Sequence, residues 1–394
     1  MRTLNQILAT AVLTVLLTGC SFNQPEEVKS VIYLIGDGMG MGAVSTAILT
    51  HEMETGFEKA PVIGLQETCS ANNYVTDSPA GGTALATGTR TKNGYLGVDP
   101  DGNQLESILK KAQKMGKKSG IVVNTVLTEA TPASFYAGVK SRKESYKIAE
   151  QFCESGVDVA IGSGMSAFVG RPDSVDLTKV LEEKGYDVYK EWKYVLGTQS
   201  EKFVAILPME DVHRRNAPLI VRDAQSGEEI TRATRNATEG KIYANDTIHI
   251  SEPREYLTKA CKIALNSLEK NAPDGFFLMI ESAIIDGYGH NNDSEGMKDE
   301  MYEFNNTLLV LIDYVNQHPG TLLVVTADHE TGGTGITYEE FPVGEKGSVH
   351  LNFSTKGHTG TLVPVFAYGA GAEQFGGVMK NKDIPRKIES LLKD

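Results

Sequence analysis

The sequence predicts an α/β protein, with a central, largely parallel sheet flanked by helices on both faces and an inserted cap or loop region. Three observations predict it. Continuous apolar runs rich in β-branched residues recur along the chain, at "VIYLI" (31–35), "GIVVN" (120–124), "VDVAIG" (157–162), "FFLMI" (276–280), "TLLVV" (321–325) and "VPVFAYG" (363–369). Runs without polar alternation belong to strands covered on both sides. Between them, "LESILKKAQKMG" and "REYLTKACKIALNSLEKN" space their apolar residues as helices do and carry lysines on the outer face. Strand and helix patterns in alternation make a layered α/β domain. Over residues 189–252, Pro, charges and breakers interrupt the pattern, so this segment is expected as an inserted cap or a set of long loops beside the sheet.

The chain ends outside that layered region differ in kind. "MRTLNQILATAVLTVLLTGC" places Arg2 before an apolar run to Leu17 and closes on Thr18-Gly19-Cys20. This has the form of a bacterial lipoprotein signal, which would remove residues 1–19 and lipidate Cys20. Residues 20–29 are then expected as a tether and 30–394 as the folded domain. The expected location is the bacterial cell envelope, on an outer membrane, facing the periplasm or the cell surface. A transmembrane anchor is the alternative, but the run is short for one, and no later apolar run reaches spanning length.

A net charge of −13 over 394 residues argues against a nucleic-acid partner, which needs a basic face. Small anionic substrates stay compatible where bound metal ions supply local positive charge. With Cys20 lipidated, Cys69, Cys153 and Cys261 remain, as one disulfide plus a free thiol or as three buried thiols.

Chemistry-bearing residues gather where the strand patterns end. "VIYLIGDGMG" ends in Asp37, "FFLMIESAIIDGYGH" brings Glu281, Asp286 and His290, "TLLVVTADHETGG" brings Asp328 and His329, and "STKGHTG" adds His358. Working groups in open α/β sheets sit beyond the carboxyl ends of the strands, so this convergence points to a polynuclear metal site. Each piece alone has an ordinary reading: Asp37 as a turn residue, Asp286 and His290 as a surface pair one helical turn apart, Asp328 as a helix cap. Their joint occurrence favours metal binding. His51, His213, His249, His318 and His350 lack that context and read as solvated or structural. In "YVTDSPAGGTALATG", Asp77 or Ser78 can cap the following helix, whereas a serine hydroxyl becomes a nucleophile only beside a base or a metal.

In order along roughly residues 30 to 370, "IGDGMG", "VTDSPAGGTALATG", "ATPASFYAGVKSRK", "ESAIIDGYGH", "TADHETGG" and "GHTG" resemble the alkaline phosphatase family. The resemblance is weakest between 189 and 252. It implies hydrolysis of phosphate monoesters through a phosphoserine, with two zinc ions and one magnesium ion. Ser78 is implied as the nucleophile and Arg142 as the grip on two phosphate oxygens. Asp286, His290 and His358 are implied for the first zinc, Asp37, Asp328 and His329 for the second, and Asp37, Thr131 and Glu281 for the magnesium.

Two positions depart from the family pattern. Glu129 stands where members carry Asp or His beside the magnesium, and Gly287 where some carry a Lys, His or Trp that touches phosphate. The donor chemistry agrees with the resemblance, since mixed His/carboxylate sets suit zinc and a Thr/Glu/Asp oxygen set suits a harder ion. Zinc lowers the pKa of an oxygen ligand by many units, so Ser78 would need no histidine base.

The expected partners are small phosphate monoesters and, through the N-terminal lipid, a membrane; a homodimer is one option for assembly. One rival is a phosphodiesterase or sulfatase of a related fold, which a bidentate arginine grip disfavours. The other is a non-catalytic phosphate-binding lipoprotein, to which an intact Ser78 brings no advantage.

Overall fold

Each apolar run forms a strand, and all of them join one ten-stranded sheet. The computed structural model describes residues 27–51, 53–212, 255–270, 272–338, 340–343 and 349–393, and the backbone of 221–222 and 229–230. The strands of the sheet are β1 (Ser30–Gly36), β2 (Val62–Glu67), β3 (Lys118–Val126), β4 (Val159–Ser163), β5 (Asp187–Tyr189), β6 (Phe203–Leu207), β7 (Phe276–Ser282), β8 (Thr321–Thr326), β9 (Val363–Gly369) and β10 (Gly377–Lys380). Their spatial order is β10-β2-β9-β8-β1-β7-β3-β4-β6-β5. Only β9 runs antiparallel to its neighbours, β8 and β2; every other pairing in the sheet is parallel.

The helices that matter for the site are α1 (Met41–Thr50), α2 (Ser78–Thr87), α3 (Ile108–Lys114), α4 (Ala130–Ala133), α5 (Ser145–Cys153), α6 (Tyr256–Glu269), α7 (Ile284–Asn291), α8 (Ser294–Gln317) and α9 (Asp383–Lys393). Successive strand residues point to opposite faces, which is why the two sides of β1 feed two separate cores. Val31, Tyr33 and Ile35 pack with Leu85 of α2, Leu109 of α3, Phe152 of α5 and Ile388 of α9. Ile32 and Leu34 pack with Val44 of α1, Leu257 of α6 and Phe304 and Leu308 of α8. Each fully buried Leu, Ile or Phe contributes about 1.5–3 kcal/mol, so two such cores can hold a cluster of buried acids between them.

Two boundaries differ from the expectation. Val28, placed in the tether, is buried in the first core, and the Lys29 amide donates to the Gly320 carbonyl at 2.8 Å, so the packed domain includes these residues. An apolar side chain two residues ahead of a central strand finds cover on the sheet; residues 20–26 of the tether, with Cys20, lie outside the described residues. The expected insertion at 189–252 also begins too early. Tyr189 ends β5, and Phe203–Leu207 forms β6 between β4 and β5. "FVAIL" is the same buried-strand signal as the other runs, obscured by the Pro and charges that follow it. Residues 213–220, 223–228 and 231–254, with His213 and His249, lie outside the described residues. Cys69, Cys153 and Cys261 are three free thiols, the last two buried. Among the described residues, no helix is long and apolar enough to cross a membrane.

Candidate metal centre

The three middle strands bring the acids together. β1 lies between β7 and β8, parallel to both, with Ile35 in register with Glu281 on one side and Thr326 on the other. Asp37 follows β1 directly, Glu281 lies near the end of β7 and Asp328 lies two residues past β8, so all three meet at the carboxyl ends of the central strands. α7 begins just after β7 and carries Asp286 and His290 one turn apart. A two-residue ribbon pairs Thr331 with His358 and returns that histidine to the same place. Gly38 makes the approach possible: its φ is +74°, and a Cβ there would stand 2.8 Å from the Asp286 Cα.

Two ligand sets result, each with its candidate donor atoms within 4.8 Å of one another: Asp286, His290 and His358, and Asp37, Asp328 and His329. In the first set the Nε2 atoms of His290 and His358 are 3.1 Å apart, and each lies 3.4 Å from an Asp286 oxygen. Both Nδ1 atoms are occupied elsewhere, His290 at 2.5 Å from the Lys356 carbonyl and His358 at 2.9 Å from the Thr76 carbonyl. A carbonyl can only accept, so each Nδ1 carries a proton, and in its neutral form each ring presents an Nε2 lone pair to the other. Two facing lone pairs beside a carboxylate are the arrangement a cation satisfies.

The second set is buried. His329 Nε2 lies 3.4 Å from Asp37 Oδ1 and 3.2 Å from Asp328 Oδ2, with the Asp328 and His329 side chains fully enclosed. The other Asp328 oxygen accepts the amides of Gly38 and His329, at 3.2 and 2.9 Å. The rings of His329 and His358 stack at 3.6 Å, so the two sets share a wall. Thr131, on α4, and Glu281, at 0% exposure, complete an oxygen-rich group with Asp37.

Electrostatics sharpen the fit. Burial, then the neighbouring Asp286 charge, pushes Asp328 up to about 7; burial, then Asp328, pushes Glu281 up to about 8. Asp37 is raised well above the usual carboxylate range by burial and the surrounding acids. His329 is pushed down to about 3 by burial and the adjacent His358. For Asp286, burial works to raise the carboxyl, but contacts with His358, His329 and Thr331 outweigh it and hold the group below the usual range. Asp37 Oδ1, Asp328 Oδ2, both Glu281 carboxylate oxygens and Thr131 Oγ1 are buried without a hydrogen-bond partner among the described residues. Anionic oxygens so enclosed are costly unless cations lie between them, and the donor set fits that requirement.

Ser78 stands beside this centre and does not cap its helix. The cap is Asp77, which accepts the Ala80 amide at 3.1 Å and the Gly94 amide at 2.6 Å. Ser78 is the first residue of α2, 2% exposed, with Oγ 3.3 Å from His329 Nε2. Gly81, one turn later, lies close against the centre: a Cβ there would stand 3.0 Å from the Asp328 carbonyl oxygen. Arg142 is half-exposed, and its guanidinium pairs with Glu129, whose carboxylate also accepts the Ala130 amide at 3.1 Å. Glu129 is thus the cap of α4, the helix that carries Thr131, and Arg142's ion-pair partner.

The ten metal-site and catalytic residues expected from sequence all fall in this one region. Sequence reasoning missed the carbonyls of Thr76 and Lys356 and the hydroxyl of Thr331, which lies 2.5 Å from Asp286 Oδ1 and 3.2 Å from His329 Nδ1. Thr331 was within reach, since it follows His329 by two residues in the extended "DHETGG".

The alkaline phosphatase family model matches residues 28–346, a stretch that stops short of His358. The chain is 28% identical to alkaline phosphatase 3 of Bacillus subtilis (strain 168), over 93% of this chain and 89% of that one. It is 29% identical to the solved alkaline phosphatase of the Antarctic bacterium TAB5, with a TM-score of 0.78, over 93% of this chain and 99% of that one. A variant of the TAB5 enzyme with Mg bound in its M3 site superposes equally well, at a TM-score of 0.78 and 29% identity, covering 94% and 99% of the two chains.

Proposed function

We propose, from the premise that the chain belongs to the alkaline phosphatase family and is a metal-dependent phosphomonoesterase, that Ser78 is its nucleophile and that three cations surround it. The observation that carries this reading is the placement of the Ser78 hydroxyl 3.3 Å from His329 Nε2, the nitrogen that also faces the buried Asp37 and Asp328 oxygens left without a hydrogen-bond partner among the described residues. Asp286, His290 and His358 would hold one zinc, and Asp37, Asp328 and His329 a second. The oxygen donors of Asp37, Thr131 and Glu281 would hold magnesium, the hard ion that such donors suit. When bound, these ions supply positive charge to the phosphoryl group and lower the pKa of coordinated oxygens.

The chain's own groups do the rest. The start of α2 leaves the Ser78 amide for an incoming phosphate, since Pro79 has no N–H and the Ala80 and Gly81 amides are taken by Asp77, which fixes that start. Arg142 binds phosphate oxygens, exchanging its contact with Glu129 for the substrate. Ser78 Oγ attacks phosphorus as the bond to the leaving alcohol breaks; the alcohol departs with a proton, and water then hydrolyses the phosphoserine to inorganic phosphate. With Gly287 on α7, no side chain reaches the phosphate from that position.

A lipid anchor on Cys20 and residence in the bacterial envelope belong to the same reading, supported by the Leu17-Thr18-Gly19-Cys20 pattern. The test of the chemistry is acid quench during turnover of 4-nitrophenyl phosphate, which should trap phosphate on the peptide containing Ser78. Ser78→Ala should lose turnover by orders of magnitude while still binding phosphate; a rate within tenfold of native would overturn the assignment. Faster hydrolysis of the bis-ester or the sulfate would move the substrate class.

A further inference from the structure

Thr331 stands between the two ligand sets. It is 1% exposed, pairs across the ribbon with His358, and donates its amide to the Gly38 carbonyl at 3.2 Å. Gly289 gives it space, since a Cβ there would stand 2.8 Å from the Thr331 methyl. Its hydroxyl touches one ligand of each set, Asp286 and His329. A threonine hydroxyl has one proton to give and lone pairs with which to accept. An ionised Asp286 can only accept, so the proton goes there. The hydroxyl oxygen then accepts from His329, which requires the imidazole proton to sit on Nδ1. Nε2 of His329 is left bare, facing Asp37, Asp328 and Ser78.

His290 and His358 have their tautomers set by backbone carbonyls, but His329 relies on a side chain that Asp286 also uses. We infer that Thr331 is a positioning residue that couples the two cation sites, orienting Asp286 in one and setting the His329 tautomer in the other through a single hydroxyl. This rests on the reading of the two sets as cation sites. Removing the hydroxyl should weaken both sites together, because the outer partner of a metal ligand typically sets 10–100-fold in affinity.

The experiment is zinc titration of the chelator-stripped full chain against a competing chelator, for native protein, Thr331→Val and Thr331→Ser. Nitrogen-15 NMR of the histidine side chains provides a readout independent of activity. The expected results are an Nδ1-protonated His329 in native protein, a 10–100-fold loss at both sites with mixed His329 tautomers in Thr331→Val, and recovery of both in Thr331→Ser. Native-like zinc binding by Thr331→Val, a loss confined to one site, or a serine variant as impaired as the valine variant would overturn the coupling alone. Failure of the native chain to bind zinc would overturn the cation-site reading and this inference with it.

Discussion

The two ligand sets share a wall, yet they are built from different parts of the fold. The Asp37, Asp328 and His329 set grows directly from the central strands and is buried on every side. The Asp286, His290 and His358 set hangs on a helix and a two-residue ribbon, and the His290 side chain is 41% exposed. In the buried set, ligand positions are inherited from sheet register, and burial works against the charges placed there. In the rim set, orientation comes from loop carbonyls, and solvent can exchange with whatever is bound. Proximity alone therefore does not make two sites equivalent; the part of the fold that supplies the donors sets how firmly they hold.

Single-ligand replacement separates the two most strongly. Asp328→Ala should lose kcat/KM by several orders of magnitude, with no recovery at raised zinc. His290→Ala should lose less and recover part of its activity as zinc is raised. Equal and irrecoverable losses in a zinc series would erase the distinction.

Metal removal should sharpen it. Metal analysis after timed dialysis against EDTA is expected to show an early phase from the exposed set and a slower one from the buried set. A single phase would mean that the shared wall makes the two sets empty as one.

The third comparison concerns pH in the metal-free protein. Asp328 at about 7 and Glu281 at about 8 lie above their unfolded values, so the folded state holds extra protons, and stability falls as pH rises through that window. His329, at about 3, has the opposite sign, but that contribution is lost only below the unfolded histidine value near 6.5. Between pH 6.5 and 8 the carboxylates decide. Tm of the stripped protein is expected to drop over this range by on the order of a few degrees, and to flatten when metal is restored. A stripped protein whose Tm rises from pH 6.5 to 8 would contradict the account of the buried set.

The smallest effect is at the rim. Gly287→Lys adds a cation on α7 near the exposed set and should tighten inhibition by inorganic phosphate about tenfold, on the order of 1.4 kcal/mol. Unchanged inhibition would mean that the added ammonium does not reach bound phosphate.

Much of the fold was legible because a doubly covered strand leaves an unbroken apolar run. β6 has the same signature, but the Pro and charges after Leu207 drew the segment into an expected insertion. The convergence of acids and histidines was legible because Asp and His placed after buried strands are costly and conspicuous. What stayed hidden were contributions without a side-chain signature. The carbonyls of Thr76 and Lys356 orient two histidines, and any residue type could have supplied them. The choice between Asp77 and Ser78 as the helix cap also needed the Gly94 amide, 17 residues away, which satisfies the second Asp77 oxygen. The pairing of Arg142 with Glu129 depends on how α4 meets the loop before α5, which spacing does not encode.

The tethering of all three histidine rings has a consequence for the order of events in the life of the chain. Where a small zinc domain organises its ligands only as the ion arrives, folding and loading are one event. Here the imidazoles are already anchored at Nδ1 by Thr76, Lys356 and Thr331, within a sheet whose cores do not involve the ions. The rotamer entropy of those side chains is surrendered when the sheet assembles. Folding and any loading can then be separated in time, the final shape coming first and the ions after.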